Sequence, residues 1–240
     1  MEEPFIFLFR TGSNLERAKE FLRLFPNNKE EMFYWACADR DLEVTKWLLS
    51  VKPDINISVE DEKAFRCACV KGYLEVAQWL LSVKPDINIS ANNEYAFRWA
   101  CLNGHLEVAQ WLLSVKPDIN ISAENEDAFS NACWCGHLEV AKWLLQVNPD
   151  INISTNTEEA FRDACANRQL NVAEWLQTLK PYLYVIEYDE NGNYTGHKIR
   201  SKEEANWEKR KYALHLALQE KTNILYHLPV DIAKSVMLFV

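Results

Sequence analysis

The residues best suited to chemistry in this chain are its seven cysteines, five of which recur every 32 residues. Each of these five follows an alanine, and they are Cys37, Cys69, Cys101, Cys133 and Cys165. The other two create Cys67-x-Cys69 and Cys133-x-Cys135, but no second ligand pair stands at the spacing of a zinc finger. Because free cysteine packs well as a small hydrophobe, we expect the periodic cysteines to lie in helix contacts, with no metal and no disulfide.

Histidines and glycines give little support for catalysis. His105 and His137 share one repeat position with Asp41, Tyr73 and Gln169, so a common acid–base role is not expected. The chain has only six glycines and no glycine-rich phosphate loop, and no serine or cysteine nucleophile is paired with a histidine in a known motif. We predict that the protein is not an enzyme and needs no cofactor. One alternative stays open, an enzyme with its site in the C-terminal 60 residues.

Charge and composition exclude further classes of function. Acidic residues outnumber basic ones by 35 to 26, and a net charge of -9 repels nucleic acid unless basic residues cluster. The densest basic run, Lys209–Lys211, follows several glutamates. The apolar run Phe5–Phe9 is too short to span a membrane, and it follows Glu2 and Glu3 where a secretion signal would be positive. We therefore expect an intracellular, cytoplasmic protein that binds neither nucleic acid nor membrane.

A repeat organises the chain around these residues. The segment Leu74–Ser90 is identical in sequence to Leu106–Ser122. Close copies begin at Leu42 and Leu138, and a more divergent copy begins at Leu170. Tryptophans keep the same interval, at Trp47, Trp79, Trp111, Trp143 and Trp175. A period of 20 to 50 residues is typical of a solenoid, whose units bury their apolar faces against their neighbours. We expect the tryptophans to provide this packing.

Each repeat is predicted to contain two helices. The first begins near Lys63 and its equivalents, after residues that can cap a helix, namely Asp61, Asn93, Asn125 and Thr157. Asn28 and Glu31 resemble a capping box at the start of the earliest such helix. The second helix, Leu74–Val83, is apolar except for one narrow stripe, as stacking between neighbours requires. Pro85 then ends it.

These motifs resemble those of ankyrin repeats. The stretch from Ala100 through Gly104 and His105 to Leu113 is similar to the two-helix core of that family, and Asp118–Asn120 matches its loop signature. The resemblance covers residues 28–182 and implies an all-α ankyrin-repeat solenoid of helix-turn-helix units. The repeat departs from the family in being one residue short of the usual 33, and in lacking the glycine and Thr-Pro of the family's hairpin.

The resemblance also implies a function. In ankyrin proteins the first helix and the loop before it line a concave face that binds a partner protein. The near-identity of the repeats and the Lys84–Ser90 phrase are also similar to ankyrin arrays of large DNA viruses, which implies a viral protein that acts on host proteins in the host cytoplasm.

The two ends of the chain differ from the repeats. Residues 1–27 are predicted to form a partial capping repeat, and residues 183–240 a β-hairpin that turns at Asn191-Gly192 and a helix that Ser201 and Glu204 open. The tail from Leu228 resembles the start of an F-box. An alternative function is therefore a substrate adaptor that recruits a cullin-type ubiquitin ligase, and the other interpretation is that the tail only caps the array.

Positions that differ between repeats are the candidates for specificity, because the constant ones build the array. In the first helices the changes fall around one constant Ala-Phe and one constant Ala-Cys. Since aromatic residues and arginine are the usual anchors of interfaces, the predicted partner-binding residues are Arg66, Arg98, Trp99, Asn103, Asn131, Trp134, Arg162 and Asp163. The other interpretation is neutral drift of exposed positions.

Overall fold

The computed structural model describes residues 14–220, which form twelve helices and one two-stranded antiparallel sheet. The helices are α1 (Asn14–Leu24), α2 (Lys29–Ala38), α3 (Leu42–Val51), α4 (Val59–Val70), α5 (Leu74–Val83), α6 (Ala91–Leu102), α7 (Leu106–Val115), α8 (Ala123–Trp134), α9 (Leu138–Val147), α10 (Thr155–Ala166), α11 (Leu170–Leu179) and α12 (Lys202–Glu220). The strands are β1 (Tyr184–Tyr188) and β2 (Tyr194–Ile199). The predicted all-α solenoid with a C-terminal hairpin and helix is confirmed.

The described residues divide into two compact units, one that ends at Gln169 and one that begins at Leu170. The first contains α1 to α10, and the second contains α11, the hairpin and α12. The boundaries predicted at residues 27 and 182 stay predictions. Within residues 14–220, no helix is both long and apolar enough to cross a membrane.

Helix pairs stack along the first unit. Each of the first helices α2, α4, α6 and α8 packs on the first helix of the next repeat. Each also packs on the second helix of its own repeat, α3, α5, α7 or α9. The constant Ala-Cys pairs lie at the centre of these contacts, where the five periodic cysteines are at most 1% exposed. A small side chain is needed at these positions because two helices approach there.

The periodic tryptophans join one repeat to the one before it. The ring of Trp79 lies 6.3 Å from that of Phe33 in the preceding first helix, and Trp111 lies 6.2 Å from Phe65. Trp143 makes the same contact with Phe97 at 6.2 Å. The phenylalanines are almost fully buried and the tryptophans half-buried. The predicted packing role of the tryptophans is confirmed for these three pairs.

Each of α4, α6, α8 and α10 opens with a left-handed turn that the sequence did not predict. In α4 the φ angles of Glu60, Asp61 and Glu62 are 51°, 56° and 64°, which L-residues rarely adopt. Residues 92–94, 124–126 and 156–158 repeat this geometry. The predicted caps Asp61, Asn93, Asn125 and Thr157 are therefore wrong, because these residues lie inside the turn. The right-handed part of each helix begins after the turn, at Lys63, Tyr95, Asp127 and Glu159, where the sequence predicted the helix to start.

A buried glutamate supports each of the first three left-handed turns. Glu62 is 6% exposed, and its carboxylate accepts hydrogen bonds from Ser58 Oγ at 2.7 and 2.8 Å and from the N–H of Asn88 at 3.3 Å. The corresponding bonds further along join the N–H groups of Asn120 and Asn152 to Glu94 and Glu126, at 3.4 and 3.3 Å. A left-handed conformation costs roughly 1–2 kcal/mol per residue, and these bonds to the next repeat offset part of that cost.

Local capping signals had mixed outcomes. Asn28 stands at the N-cap of α2 as expected, but its side chain donates to Glu31 at 3.2 Å and caps no helix N–H, so the predicted box there is wrong. In the second unit the box is confirmed, because Ser201 Oγ accepts from the N–H of Glu204 at 3.1 Å and the carboxylate of Glu204 accepts from the N–H of Ser201 at 2.8 Å.

The hairpin of the second unit turns through five residues. Asp189 begins the loop, and its carboxylate accepts hydrogen bonds from the N–H groups of Asn191 and Asn193 at 2.9 and 2.8 Å. Gly192 takes a φ of 80°, which explains the glycine in the predicted Asn-Gly turn. Tyr184, at the start of β1, is fully buried against α11 and accepts a bond from Gln177 through its carbonyl.

Candidate functional site

The eight predicted residues lie on neighbouring first helices of the first unit. Arg66 is in α4, Arg98 and Trp99 are in α6, Asn131 and Trp134 are in α8, Arg162 and Asp163 are in α10, and Asn103 is the C-cap of α6. Contacts between α4, α6, α8 and α10 bring these helices side by side. Their individual environments differ, and the differences decide what each residue can do.

Arg66 binds the left-handed turn of its own helix. Its Nε donates to the carbonyl of Asp61 at 2.7 Å, and its Nη2 donates to the carbonyl of Glu60 at 2.9 Å. The guanidinium carbon also lies 4.9 Å from the centre of the Tyr95 ring in the next repeat, a cation–π contact. The turn and the neighbouring aromatic ring together fix this side chain.

Arg98 repeats that arrangement one unit later. Its Nε donates to the carbonyl of Asn93 at 2.8 Å, and its Nη2 reaches the carbonyl of Asn92 at 3.5 Å. Its Nη1 forms an ion pair with Asp127 of the next repeat at 2.5 Å, and its side chain is only 12% exposed. In α10, Nη2 of Arg162 donates to the carbonyl of Asn156 at 3.4 Å. Each of these arginines therefore has a partner within its own chain, and their role in binding a partner protein stays a prediction.

Trp99 and Asn103 form a second, partly covered group. The Trp99 ring is half-buried and stacks on Tyr95, with 5.1 Å between the ring centres and 19° between the planes. The side chain of Asn103 is exposed and donates to the carbonyl of Trp99 at 2.9 Å. Both residues of this aromatic pair are partly buried.

Trp134 lines an open groove between α8 and α10. Its side chain is 44% exposed, and the groove has a volume of about 320 Å³. The lining is polar and acidic, and consists of Glu124, Asn125, Asp127, Ser130, Asn131, Trp134, Asn156, Glu159 and Asp163. We call this the α8/α10 groove. It contains three of the predicted residues.

The carboxylates of the groove are neutralised unequally. Asp127 has both oxygens engaged, one by Arg98 and one by Asn131 Nδ2 at 2.7 Å. Glu159 accepts a bond from Asn156 at 2.6 Å. Within the described residues, no cationic side chain pairs with Glu159 or Asp163. The groove thus carries uncompensated negative charge beside an exposed indole ring.

Sequence reasoning missed Tyr95, Asp127 and Glu159, although a signal was present. These residues and Lys63 all stand directly before the constant Ala-Phe of the first helix, and they differ in every repeat. If the residue directly before the Ala-Phe had been counted among the variable positions of the first helix, Tyr95, Asp127 and Glu159 would have been candidates too.

The chain matches sequence models of one family along most of this architecture. Residues 33–81 and 65–113 match a model of ankyrin repeats in many copies, and residues 97–185 match a model of three ankyrin repeats. The matched ranges run from residue 33 to residue 185, which is more than half of the chain. The chain belongs to the ankyrin repeat family. A search of curated proteins found no match. Ankyrin repeats are in general modules of protein–protein interaction.

The periodic cysteines of the ankyrin array are packing residues. Burial raises the pKa of Cys37 to about 12 and that of Cys165 to about 11, and it also raises the pKa of Cys69, Cys101 and Cys133. A thiol with a raised pKa is a poor nucleophile near neutral pH. All seven cysteines are free. In the described part of the chain, no three histidine, cysteine or acidic side chains cluster as metal ligands, and the absence of metal stays a prediction.

The histidines of the array lie where one repeat meets the next. The ring of His105 stands over Gly72 and that of His137 over Gly104, so closely that a Cβ atom on either glycine would be 2.5 to 2.9 Å from the ring. Burial lowers the pKa of His105, and the neighbouring His137 adds to the effect, while a bond to the Val70 carbonyl opposes it. Packing between repeats is the role these contacts indicate.

Two further cavities contain ionisable groups. One of about 260 Å³ between α2 and α4 is lined by Tyr34 and Lys63 among others; burial, with the nearby Cys67, raises the pKa of Tyr34 to about 12. The other lies beside α12, where the N–H of Ser201 and then Lys198 lower the pKa of Glu204. A C-terminal pocket without ionisable residues would have argued against an enzyme, but this cavity is lined by ionisable residues. The alternative of an enzyme site in the C-terminal region therefore stays a prediction.

Proposed function

We propose that this ankyrin repeat protein is a non-enzymatic scaffold that binds a partner protein through the face formed by the first helices α6, α8 and α10 of three successive repeats. This face corresponds to the concave binding face of ankyrin arrays. The observation that carries the proposal is the exposure of Trp134 at the α8/α10 groove. The periodic tryptophans serve the array, whereas Trp134 occurs in a single repeat and has 44% of its surface in water.

The surroundings of Trp134 support a binding role. Asn131 and Asp163 line the same groove, and the Trp99–Asn103 group lies on the adjacent helix α6. Tryptophan is among the residues most often found at the energetic centre of an interface, because its large rigid ring buries much surface at little entropic cost. Polar groups around it provide the rim that excludes water. Arg66, Arg98 and Arg162 contribute to this face by holding the turns beside it.

A matched pair of tryptophan substitutions tests the proposal. Trp134→Ser removes the exposed ring at the groove, and Trp207→Ser removes another exposed ring, 55% in water, from α12 in the other unit. Proximity labelling in the native host and co-purification with wild-type and variant chains identify the partners. We expect the strongest partner of the wild type to be lost with Trp134→Ser and kept with Trp207→Ser, while both variants melt at the wild-type temperature. Equal recovery of every partner by both variants would contradict the proposal.

The proposal includes a cytoplasmic location. Seven free cysteines suit a reducing compartment, and the acidic net charge suits a soluble protein partner better than nucleic acid. The viral origin and the host partner remain predictions from resemblance. The adaptor hypothesis concerns the tail from Leu228, which lies outside the described residues, and it also stays a prediction.

A further inference from the structure

In three of the repeats, an arginine side chain of the protein itself indicates which chemical group the α8/α10 groove can bind. Arg66, Arg98 and Arg162 occupy equivalent positions, and each donates to carbonyl groups five or six residues earlier, in the left-handed turn of its own helix. In the first two cases both carbonyls are used. In these two repeats, consecutive carbonyls of the turn lie within reach of one guanidinium, whose planar fork of N–H donors can bind two acceptors at once.

The repeat whose first helix is α8 has the turn but lacks the arginine. Residues 124–126 take the same left-handed geometry, with φ of 52°, 58° and 66°, so the carbonyls of Glu124 and Asn125 stand where those of Glu60 and Asp61 stand in α4. Ser130 occupies the arginine position, and its short side chain leaves space. The α8/α10 groove lies at this point, with Glu124, Asn125 and Ser130 in its lining.

The rest of the lining also matches a guanidinium. Arg66 has an aromatic ring 4.9 Å away in Tyr95, and the groove has the exposed ring of Trp134. Arg98 has a carboxylate in Asp127, and the equivalent residue one repeat later is Glu159, which lines the groove together with Asp163. No cation of the described residues pairs with either carboxylate. The groove therefore offers the three kinds of contact that the internal arginines use, which are turn carbonyls, an aromatic face and a carboxylate.

We infer that the α8/α10 groove binds an arginine side chain of the partner protein, whose guanidinium takes the place that Arg66 and Arg98 fill in their own repeats. This inference rests on the proposed function, because it specifies the chemistry of the partner at the proposed face. Lysine fits less well, since its ammonium is a single point charge that cannot span two carbonyls and stack on an indole.

The probe for this site is N-acetyl-arginine methylamide, with the lysine analogue as its control. The readout is the amide N–H signals of Ser130 and Trp134, and the indole N–H signal of Trp134, in ¹H–¹⁵N NMR spectra of the full chain during titration. We expect saturable shifts of these signals with the arginine probe, in the millimolar range that a single side chain provides, and at least severalfold weaker binding of the lysine analogue. Shifts that never saturate, or equal binding of both probes, would overturn the inference.

Two substitutions at one position sharpen the test. Ser130→Arg supplies the missing guanidinium from within, so we expect it to abolish probe binding and to melt no lower than the wild type, whereas Ser130→Ala leaves the groove open and keeps binding. Asp163→Asn provides a second measurement that does not add bulk, and we expect it to weaken the probe severalfold. A Ser130→Arg variant that still binds the probe, or an Asp163→Asn variant that binds it as well as the wild type, would refute the site.

The inference and the proposed function can fail separately. If Trp134→Ser loses the partner and Ser130→Arg retains it, the face binds a protein but the groove does not take an arginine. If the arginine probe binds and no partner depends on Trp134, the groove chemistry is correct and the proposed interface is wrong. Loss of the same partner from both variants, with retention in Ser130→Ala, is the expected result.

Discussion

Adding one methyl group at Gly104 tests how tightly neighbouring repeats fit together. Gly104 has a φ of 77°, and a Cβ atom there would lie 2.6 Å from Nδ1, 2.7 Å from Cε1 and 2.9 Å from Cγ of His137. The Gly104→Ala substitution therefore has two costs. The left-handed backbone costs roughly 1–2 kcal/mol for a residue with a side chain, and forcing the imidazole away from a packed contact costs roughly 1–3 kcal/mol more. We expect a total loss of about 2–5 kcal/mol.

A double-mutant cycle separates the two costs. Replacing His137 by alanine removes the ring that the new methyl group strikes, so Gly104→Ala should cost only the backbone part of about 1–2 kcal/mol in that background. The coupling between the two substitutions should be about 1–3 kcal/mol. The chain already has a side chain at the position equivalent to Gly104, because Arg40 takes a φ of 62° there. Its guanidinium lies over the Tyr73 ring at 5.9 Å.

The free energy of unfolding is measured by urea denaturation, monitored by circular dichroism, for the wild type, both single variants and the double variant. An unchanged slope of the urea dependence would show that the comparison concerns the native state. If Gly104→Ala costs as much with His137 removed as with it present, the reasoning from the steric contact is refuted, and the loss belongs to the backbone alone.

Three further measurements probe other contacts of the array. Burial lowers the pKa of His105 below its ordinary value of 6.5, so the contribution of the neutral ring to stability is complete above that pH and is lost as the pH falls through the lower folded value. Urea midpoints at pH 7.5 and 5.5 should therefore differ more for the wild type than for His105→Gln. Glutamine is the residue found at the equivalent position Gln169. A thiol reagent should modify the half-buried Cys67 and Cys135 quickly in the native protein and all seven cysteines only after denaturation, and fast modification of more than two would contradict the assigned burial. Trp79→Ala should cost toward the lower end of about 3–5 kcal/mol, because its half-buried ring packs on Phe33, whereas the exposed Trp207→Ala should change stability by no more than about 0.5 kcal/mol.

The helix pairs could be predicted from the sequence because the residue pattern that forms them is local and recurs in several repeats. The second helix predicted at Leu74–Val83 has those bounds in the structure, since its apolar pattern and the following proline both act within a few residues. The box at Ser201 and Glu204 also formed as predicted. In each case neighbouring residues in the sequence supply all the atoms that make the feature.

The left-handed turns could not be predicted in this way. A run such as Glu60–Glu62 has no sequence preference for the left-handed region, which favours glycine and, less strongly, asparagine and aspartate. The bonds that hold the turn come from elsewhere, because Asn88 of the next repeat donates to Glu62 and Arg66 binds the carbonyls from the following turn of the helix. A cap was the reasonable expectation from local chemistry, and contacts between repeats replaced it.

The same turns change the meaning of the arginines. From residue type alone, Arg66 and Arg98 were interface anchors, yet the structure gives them carbonyl partners in their own helices. A residue that recurs in three repeats and is satisfied within each of them serves what the repeats share. Under the proposed function, we expect specificity to come from the repeat in which this arginine is absent. Ser130 marks that copy, because it keeps the turn, leaves the guanidinium position open and places Trp134 and Asp163 beside it. The guanidinium position that Ser130 leaves open is the place that we propose an arginine of the partner protein fills.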